Sequence, residues 1–159
     1  NYSFMHVIGY NIADFHREHQ KLKDQIIEVP GLKIIATDIK QDAIDISMIN
    51  SGIAEVESMI EFSVCDFEET NVPQGEQGVV YFNPEYGERL GDLQELEGTY
   101  KRIGDFMKKK CQGYTGYIFT GNMDLAKKVG LKASRRYEFY TAKLDCRLLE
   151  YELYAGKKA

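Results

Sequence analysis

The chain has 159 residues, 43% of them apolar, and a formal net charge of −5, enough for one domain with a sizeable core. The acidic balance argues against the domain alone gripping a polyanion, because nonspecific nucleic-acid affinity comes from Lys and Arg neutralising phosphates. No apolar run approaches the roughly 18 residues of a membrane helix, the N-terminus lacks the charged-then-apolar pattern of a signal peptide, and a cytoplasmic protein is expected. Cys65, Cys111 and Cys146 make an odd set without close spacing, so neither a disulfide framework nor a zinc site is suggested.

Residues 1–10 are apolar without a clean period and take no assignment. Ile12, Phe15, His19, Leu22 and Ile26 then recur at helical spacing until Pro30-Gly31 stops them. His16 and His19 share a face, but no third ligand is near in sequence, and a packed or half-buried histidine is the better reading. Residues 33–37 read as a short strand that delivers Asp38 at its C-terminal end. An acidic residue there is placed to hydrogen-bond the ribose hydroxyls of a nucleotide-type cofactor, and also to cap the next helix. Residues 42–49 form a helix that is apolar on most sides and is expected to be sandwiched, with Asn50-Ser51-Gly52 closing it.

Ile60, Phe62 and Val64 alternate with polar residues in a strand that ends at Cys65-Asp66-Phe67, and residues 68–78, with Pro73, Gly75 and Gly78, read as a loop. Residues 79–82 are a buried strand. Leu93, Leu96, Tyr100, Ile103 and Met107 mark a long helix ending in Lys108-Lys109-Lys110, where the charge complements the helix dipole. Residues 114–120 are a strand, Gly121-Asn122 a turn, and 123–129 a short helix ended by Gly130. Tyr137 and Phe139, then Leu149, Tyr151 and Leu153, alternate on two segments that read as an antiparallel hairpin.

The stretch Tyr81-Phe82-Asn83-Pro84-Glu85-Tyr86-Gly87-Glu88-Arg89-Leu90 lies between a buried strand and the long helix. In open α/β sheets ligands bind at the C-terminal ends of the strands. The Asn83 side-chain oxygen and the Pro84 carbonyl can both accept from an exocyclic amine, and the Tyr86 ring can stack on the base that carries it. Accepting both N–H bonds frees the nitrogen lone pair for attack on a methyl electrophile, which is catalysis by positioning and electrostatics.

At these residues the chain resembles the Asn-Pro-Pro-Tyr class of S-adenosylmethionine-dependent amino-methyltransferases. The longer string Asn-Pro-x-Tyr-Gly-Glu-Arg-Leu resembles the UPF0020-type branch that methylates guanine N2 in 23S ribosomal RNA and usually carries an RNA-binding THUMP domain. Glu85 stands where that family usually has a second proline. Ala43, Ile44, Asn50 and Leu144-Asp145-Cys146 also match the family, whereas its Asn-Gly in the last region is replaced by Thr141-Ala142. The resemblance implies Asn83, Pro84 and Tyr86 as catalytic residues and Asp38 as the ribose ligand. It also implies that Asp66 meets the adenine amine with Phe67 beside the ring, and that Tyr86 and Arg89 contact the RNA base and its surroundings. Asp66 also reads as a solvated loop residue, and Arg89 as an internal ion pair with Glu88 or Asp92.

The implied fold is α/β, a Rossmann-like methyltransferase fold with a mostly parallel sheet closed by a C-terminal antiparallel hairpin. A cofactor site of this type begins with a strand and a glycine-rich turn, yet before Asp38 only Gly9 and Gly31 occur. Residues 1–159 are therefore expected to be a partial catalytic domain lacking the first strand and glycine loop, weak in cofactor binding alone. An RNA-binding domain is expected outside this chain, and a homodimer is expected through the exposed sheet edge. Two other readings stand beside this one: an adenine-N6 DNA or RNA methyltransferase, and a noncatalytic α/β interaction domain.

Overall fold

The computed structural model describes residues 2–27, 29–74, 77–86, 93–141 and 144–154. In chain order they form α1 (Ile12–Lys23), β1 (Ile34–Asp38), α2 (Gln41–Ile53), β2 (Ile60–Val64), β3 (Val79–Phe82), α3 (Leu93–Lys110), β4 (Thr115–Thr120), α4 (Met123–Lys128), β5 (Arg135–Thr141) and β6 (Leu144–Glu152). Short 3-10 turns occupy Ser3–His6, Glu57–Met59 and Phe67–Glu69.

The strands fall into two sheets. One is the parallel pair β1-β2, and the other runs β3-β4-β6-β5. β3 and β4 are parallel, while β6 inserts antiparallel between β4 and β5. The hairpin thus closes a parallel sheet as its alternating pattern predicts. The edge of β1 opposite β2 and the edge of β3 opposite β4 pair with no strand among the described residues.

The core lies where α3 and α4 cover one face of the larger sheet. In β4 every second residue is buried, as expected for a strand with one face on a core. Ile118 and Leu149 are register partners on that face and meet Tyr100, Ile103 and Met107 of α3, all fully buried or nearly so. Each such apolar side chain contributes about 1.5–3 kcal/mol by leaving water. Tyr100 also brings a hydroxyl inside, and it is satisfied by a 2.8 Å hydrogen bond with Thr120 Oγ1. On the opposite face the Glu150 carboxylate accepts hydrogen bonds from the hydroxyls of Tyr117 and Tyr137, and Phe119 meets Phe139 edge to face.

Four local expectations are corrected. β3 is not a buried strand: Val80 and Phe82 pack half-buried against the core, while the alternate residues Val79 and Tyr81 face away and are exposed. α2 is not sandwiched: only Ile44 and Ser51 are buried, while Ile46 and Ile53 are 58% and 78% exposed. A two-stranded sheet covers only one side of a helix. Asn50-Ser51-Gly52 lies inside α2, which runs on to Ile53, and the Ser51 hydroxyl donates to the Met48 carbonyl within the helix. The chain turns afterwards, at Glu55 with φ 61. His19 is exposed rather than packed in the interior, with its ring stacked 5.6 Å from Phe15.

Candidate active site

The C-terminal ends of β1 to β4 converge on one rim. The parallel register of β1 and β2 sets Asp38 beside Val64, and the Cys65 N–H donates to the Asp38 carbonyl at 3.0 Å. Beyond Cys65 the chain enters the turn at Phe67–Glu69, whose Phe67 ring meets Phe82 at the end of β3 (5.5 Å) and Phe106 of α3 (5.7 Å). A hydrogen bond of 2.9 Å between the hydroxyls of Thr37 and Thr70 fastens the end of the same turn back to β1. These contacts join the two sheets at their C-terminal ends, the side on which α/β folds bind ligands.

Asp38 is the last residue of β1 and is exposed; its Oδ1 accepts from the Lys40 N–H at 2.8 Å. It does not cap α2, whose N-cap position is Lys40 without a side-chain bond. Asp66 is the N-cap of the turn at Phe67–Glu69. Its Oδ1 accepts from the Glu68 N–H at 2.9 Å and its Oδ2 from Arg102 Nη2 at 2.7 Å. The same guanidinium donates to Glu68 and lies 4.9 Å from the Phe67 ring centroid. Phe67 is thus held between Arg102 and the rings of Phe82 and Phe106.

Arg102, with the Glu68 N–H second, holds the Asp66 carboxyl below the ordinary aspartate range, while burial opposes them. A depressed folded value means that the stabilisation is present above the unfolded value of about 3.9. It is lost as pH falls through the folded value. Arg102→Gln is expected to raise the Asp66 midpoint toward the ordinary value in a carbon-detected NMR titration. An unchanged midpoint would remove Arg102 as its cause.

The loop after β3 places Asn83 and Glu85 in solvent and leaves Pro84 and Tyr86 half-buried. Tyr86 packs against the core cluster, and its carbonyl accepts from Asn122 Nδ2 at 3.4 Å. A side chain on Gly121 would come within 3.0 Å of the Tyr86 ring. Tyr86 is thereby anchored to the end of β4, while Asn83 faces water at the end of β3. Arg89 lies outside the described residues, as do Glu88 and Asp92.

Sequence reasoning missed Arg102 and the role of Asn122. Arg102 lies 36 residues from Asp66 and off the apolar stripe of its helix, so only the tertiary fold joins them. Asn122 reads locally as part of a turn, although a polar residue just before a short helix is also an N-cap signal.

Two parallel strand pairs, one of them closed by an antiparallel hairpin, with acidic residues and an Asn-Pro-x-Tyr loop at their C-terminal ends, define a Rossmann-like methyltransferase domain. The UPF0020 family model, an RMKL-like methyltransferase domain, matches residues 5–150, and the chain belongs to this family. It is 35% identical over 123 residues to the ribosomal RNA large subunit methyltransferase K/L of Syntrophotalea carbinolica, a match covering 76% of this chain and 17% of that protein. The crystal structure of SMU.472 with SAH superposes on 99% of this chain and 41% of its own, with TM-score 0.78 and 21% identity. A Listeria monocytogenes structure, named a predicted N6-adenine-specific DNA methylase, is 27% identical with TM-score 0.68, over 89% of this chain and 35% of its own. The chain therefore spans less than half the length of each of these relatives.

Proposed function

We propose that this chain carries the acceptor side of an S-adenosylmethionine-dependent methyltransferase that modifies the exocyclic N2 amine of a guanine in 23S ribosomal RNA. The observation that carries this reading is the position of Asn83-Pro84-Glu85-Tyr86, directly after β3 on the rim that also holds Asp38 and Asp66. The donor set fits the cofactor chemically, because a ribose diol offers two O–H donors to the Asp38 carboxylate and an adenine amine offers N–H to Asp66. S-adenosylmethionine, when bound, would supply the methyl group as an electrophilic carbon on its sulfonium sulfur, which leaves as the neutral thioether, and the methylated amine then gives up one proton to water.

The residues of this chain do the rest by orientation. Asn83 Oδ1 and the Pro84 carbonyl accept the two amine hydrogens, which directs the nitrogen lone pair away from the base ring. Tyr86 holds the base plane, and an RNA contact is assigned to Arg89. No acid or base is required to create the nucleophile, so the rate enhancement is one of geometry and local electrostatics.

The glycine-rich turn and the RNA-binding surface come, in this reading, from residues outside these 159. The net charge of −5 supports the second point, since phosphate contacts need local positive charge. An RNA substrate of this kind places the work in the cytoplasm. The unpaired edge of β1 or β3 offers a second copy a place to add a strand, and sedimentation of this chain as a monomer at high concentration would rule out that homodimer.

Adenine N6 is a second acceptor supported by the 27% identity to the Listeria structure, because the same loop can present either amine and the base pocket decides between them. Glu85, in place of the family proline, favours a noncatalytic interaction domain. The full-length protein, incubated with methyl-labelled cofactor and undermethylated ribosomal RNA, distinguishes the three by nucleoside analysis. Label in N2-methylguanosine is expected. Label in N6-methyladenosine moves the assignment to adenine, and failure of the full-length protein to bind the cofactor supports the interaction domain.

A further inference from the structure

We infer that Gly121 and Asn122, at the C-terminal end of β4, are positioning residues that seat Tyr86 and so set the register of the Asn83-Pro84-Glu85-Tyr86 loop. The inference rests on the proposed role of that loop in methyl transfer and adds the residues that hold it. Two features of the same dipeptide act on the two halves of Tyr86. Gly121 acts on the ring: a Cβ built there would lie 3.0 and 3.1 Å from Tyr86 Cε2 and Cδ2, and 3.5 Å from Cys146 Sγ. Contacts near 3.0 Å force a neighbour to move. The bare glycine therefore lets the ring lie down on the strand end.

Asn122 acts on the backbone. Its Nδ2 donates to the Tyr86 carbonyl at 3.4 Å, while its Oδ1 accepts from the Asp124 and Leu125 N–H groups at 3.0 and 3.1 Å, as the N-cap of α4. One amide side chain thus spans from a helix start to the loop, with its donor and its acceptor assigned to different partners. The Asn122 N–H donates in turn to Thr120 Oγ1 at 3.1 Å, and that hydroxyl is bonded to the buried Tyr100 hydroxyl at 2.8 Å. A continuous line of hydrogen bonds therefore runs from the interior of α3, through Thr120 and Asn122, to the carbonyl of Tyr86. Asn83 stands only three residues upstream of that anchor, so a shift of Tyr86 is transmitted to the acceptor groups.

The division of labour within Asn122 provides a separable test. Asn122→Asp keeps an N-cap oxygen of equal quality but removes the donor and sets a carboxylate toward the Tyr86 carbonyl. Gly121→Ala presses on the ring seat, with only ordinary contact to Cys146 Sγ and without backbone strain, because Gly121 does not have the positive φ that would strain an alanine. The ring is followed by fluorine NMR of the full-length protein labelled with 3-fluorotyrosine, with the Tyr86 line assigned through Tyr86→Phe. Both variants are expected to shift or broaden that line at unchanged melting temperature. Each is also expected to lower kcat for methyl transfer by roughly 10- to 100-fold, the scale for a small misplacement of reacting groups, with KM for S-adenosylmethionine unchanged. A Tyr86 line that stays in place in both variants overturns the seat. A displaced line with unchanged kcat overturns the positioning role. If the wild-type protein methylates no guanine, the functional reading falls, whereas the NMR result still decides whether the seat exists.

Discussion

Asn83→Ala in the full-length protein is expected to lower methyl transfer by about two to three orders of magnitude, the loss typical when one preorganised polar partner of a transition state is removed. The melting temperature should stay near the wild-type value. Asn83 is exposed, follows β3 rather than belonging to it, and buries no apolar surface that truncation would give up. In the proposed mechanism it supplies an acceptor oxygen for one of the two amine hydrogens, an interaction that strengthens as the nitrogen gains positive charge on taking the methyl group. The loss should therefore appear in kcat, with the cofactor's KM unchanged, because the proposed cofactor contacts lie elsewhere, Asp38 at the end of β1 and Asp66 in the turn after β2. Asn83→Asp retains an oxygen acceptor at the same reach and should fall between the two. A variant that raises only the KM for RNA, at wild-type kcat, would show that Asn83 binds ground state and transition state alike, and the activation argument would fail.

Local periodicity made much of this arrangement legible. Of the apolar residues of α3 at helical spacing, Leu96, Tyr100, Ile103 and Met107 are buried and Leu93, at the helix start, is 49% exposed, because an amphipathic stripe reports the face that meets a sheet. The alternation around Tyr137, Phe139, Leu149 and Tyr151 reported a hairpin, and Arg135–Thr141 pairs antiparallel with Leu144–Glu152. α2 misled for the same reason: an apolar surface shows what a helix is able to bury, not how many layers lie beside it. At the rim, the positions of Asp38, Asp66 and Asn83 followed from strand ends, but their partners did not. The Arg102 pairing with Asp66 and the Asn122 bond to Tyr86 each close across more than 30 residues, and no window of local sequence contains such information. The insertion of β6 between β4 and β5 is likewise a property of the whole sheet, and the alternating pattern gave the hairpin without that strand order.

Two glycines of one helix should respond to alanine in opposite directions. Gly104 of α3 is buried, and a Cβ there would run into the Val129 carbonyl at the end of α4. The absent side chain lets the helices approach backbone to backbone, which brings Leu125, Ala126 and Val129 into the core shared with Ile103 and Met107. A clash with backbone cannot be relieved by turning a rotamer, so α4 must move and loosen these contacts. Gly104→Ala is expected to destabilise by about 1–3 kcal/mol, as overpacking does, even though alanine is the better helix former. Gly98, two turns earlier, is exposed and has nothing within 4 Å of a built Cβ. There only the backbone entropy acts, and Gly98→Ala is expected to stabilise by about 0.5–1 kcal/mol. Thermal melts read both changes, at roughly 2–4 °C per kcal/mol for a chain of this size. If Gly104→Ala melts at or above the wild type, the close contact of α3 with α4 is not part of the folded state, and the packing that carries β4 and its Gly121-Asn122 end to the rim would need another explanation.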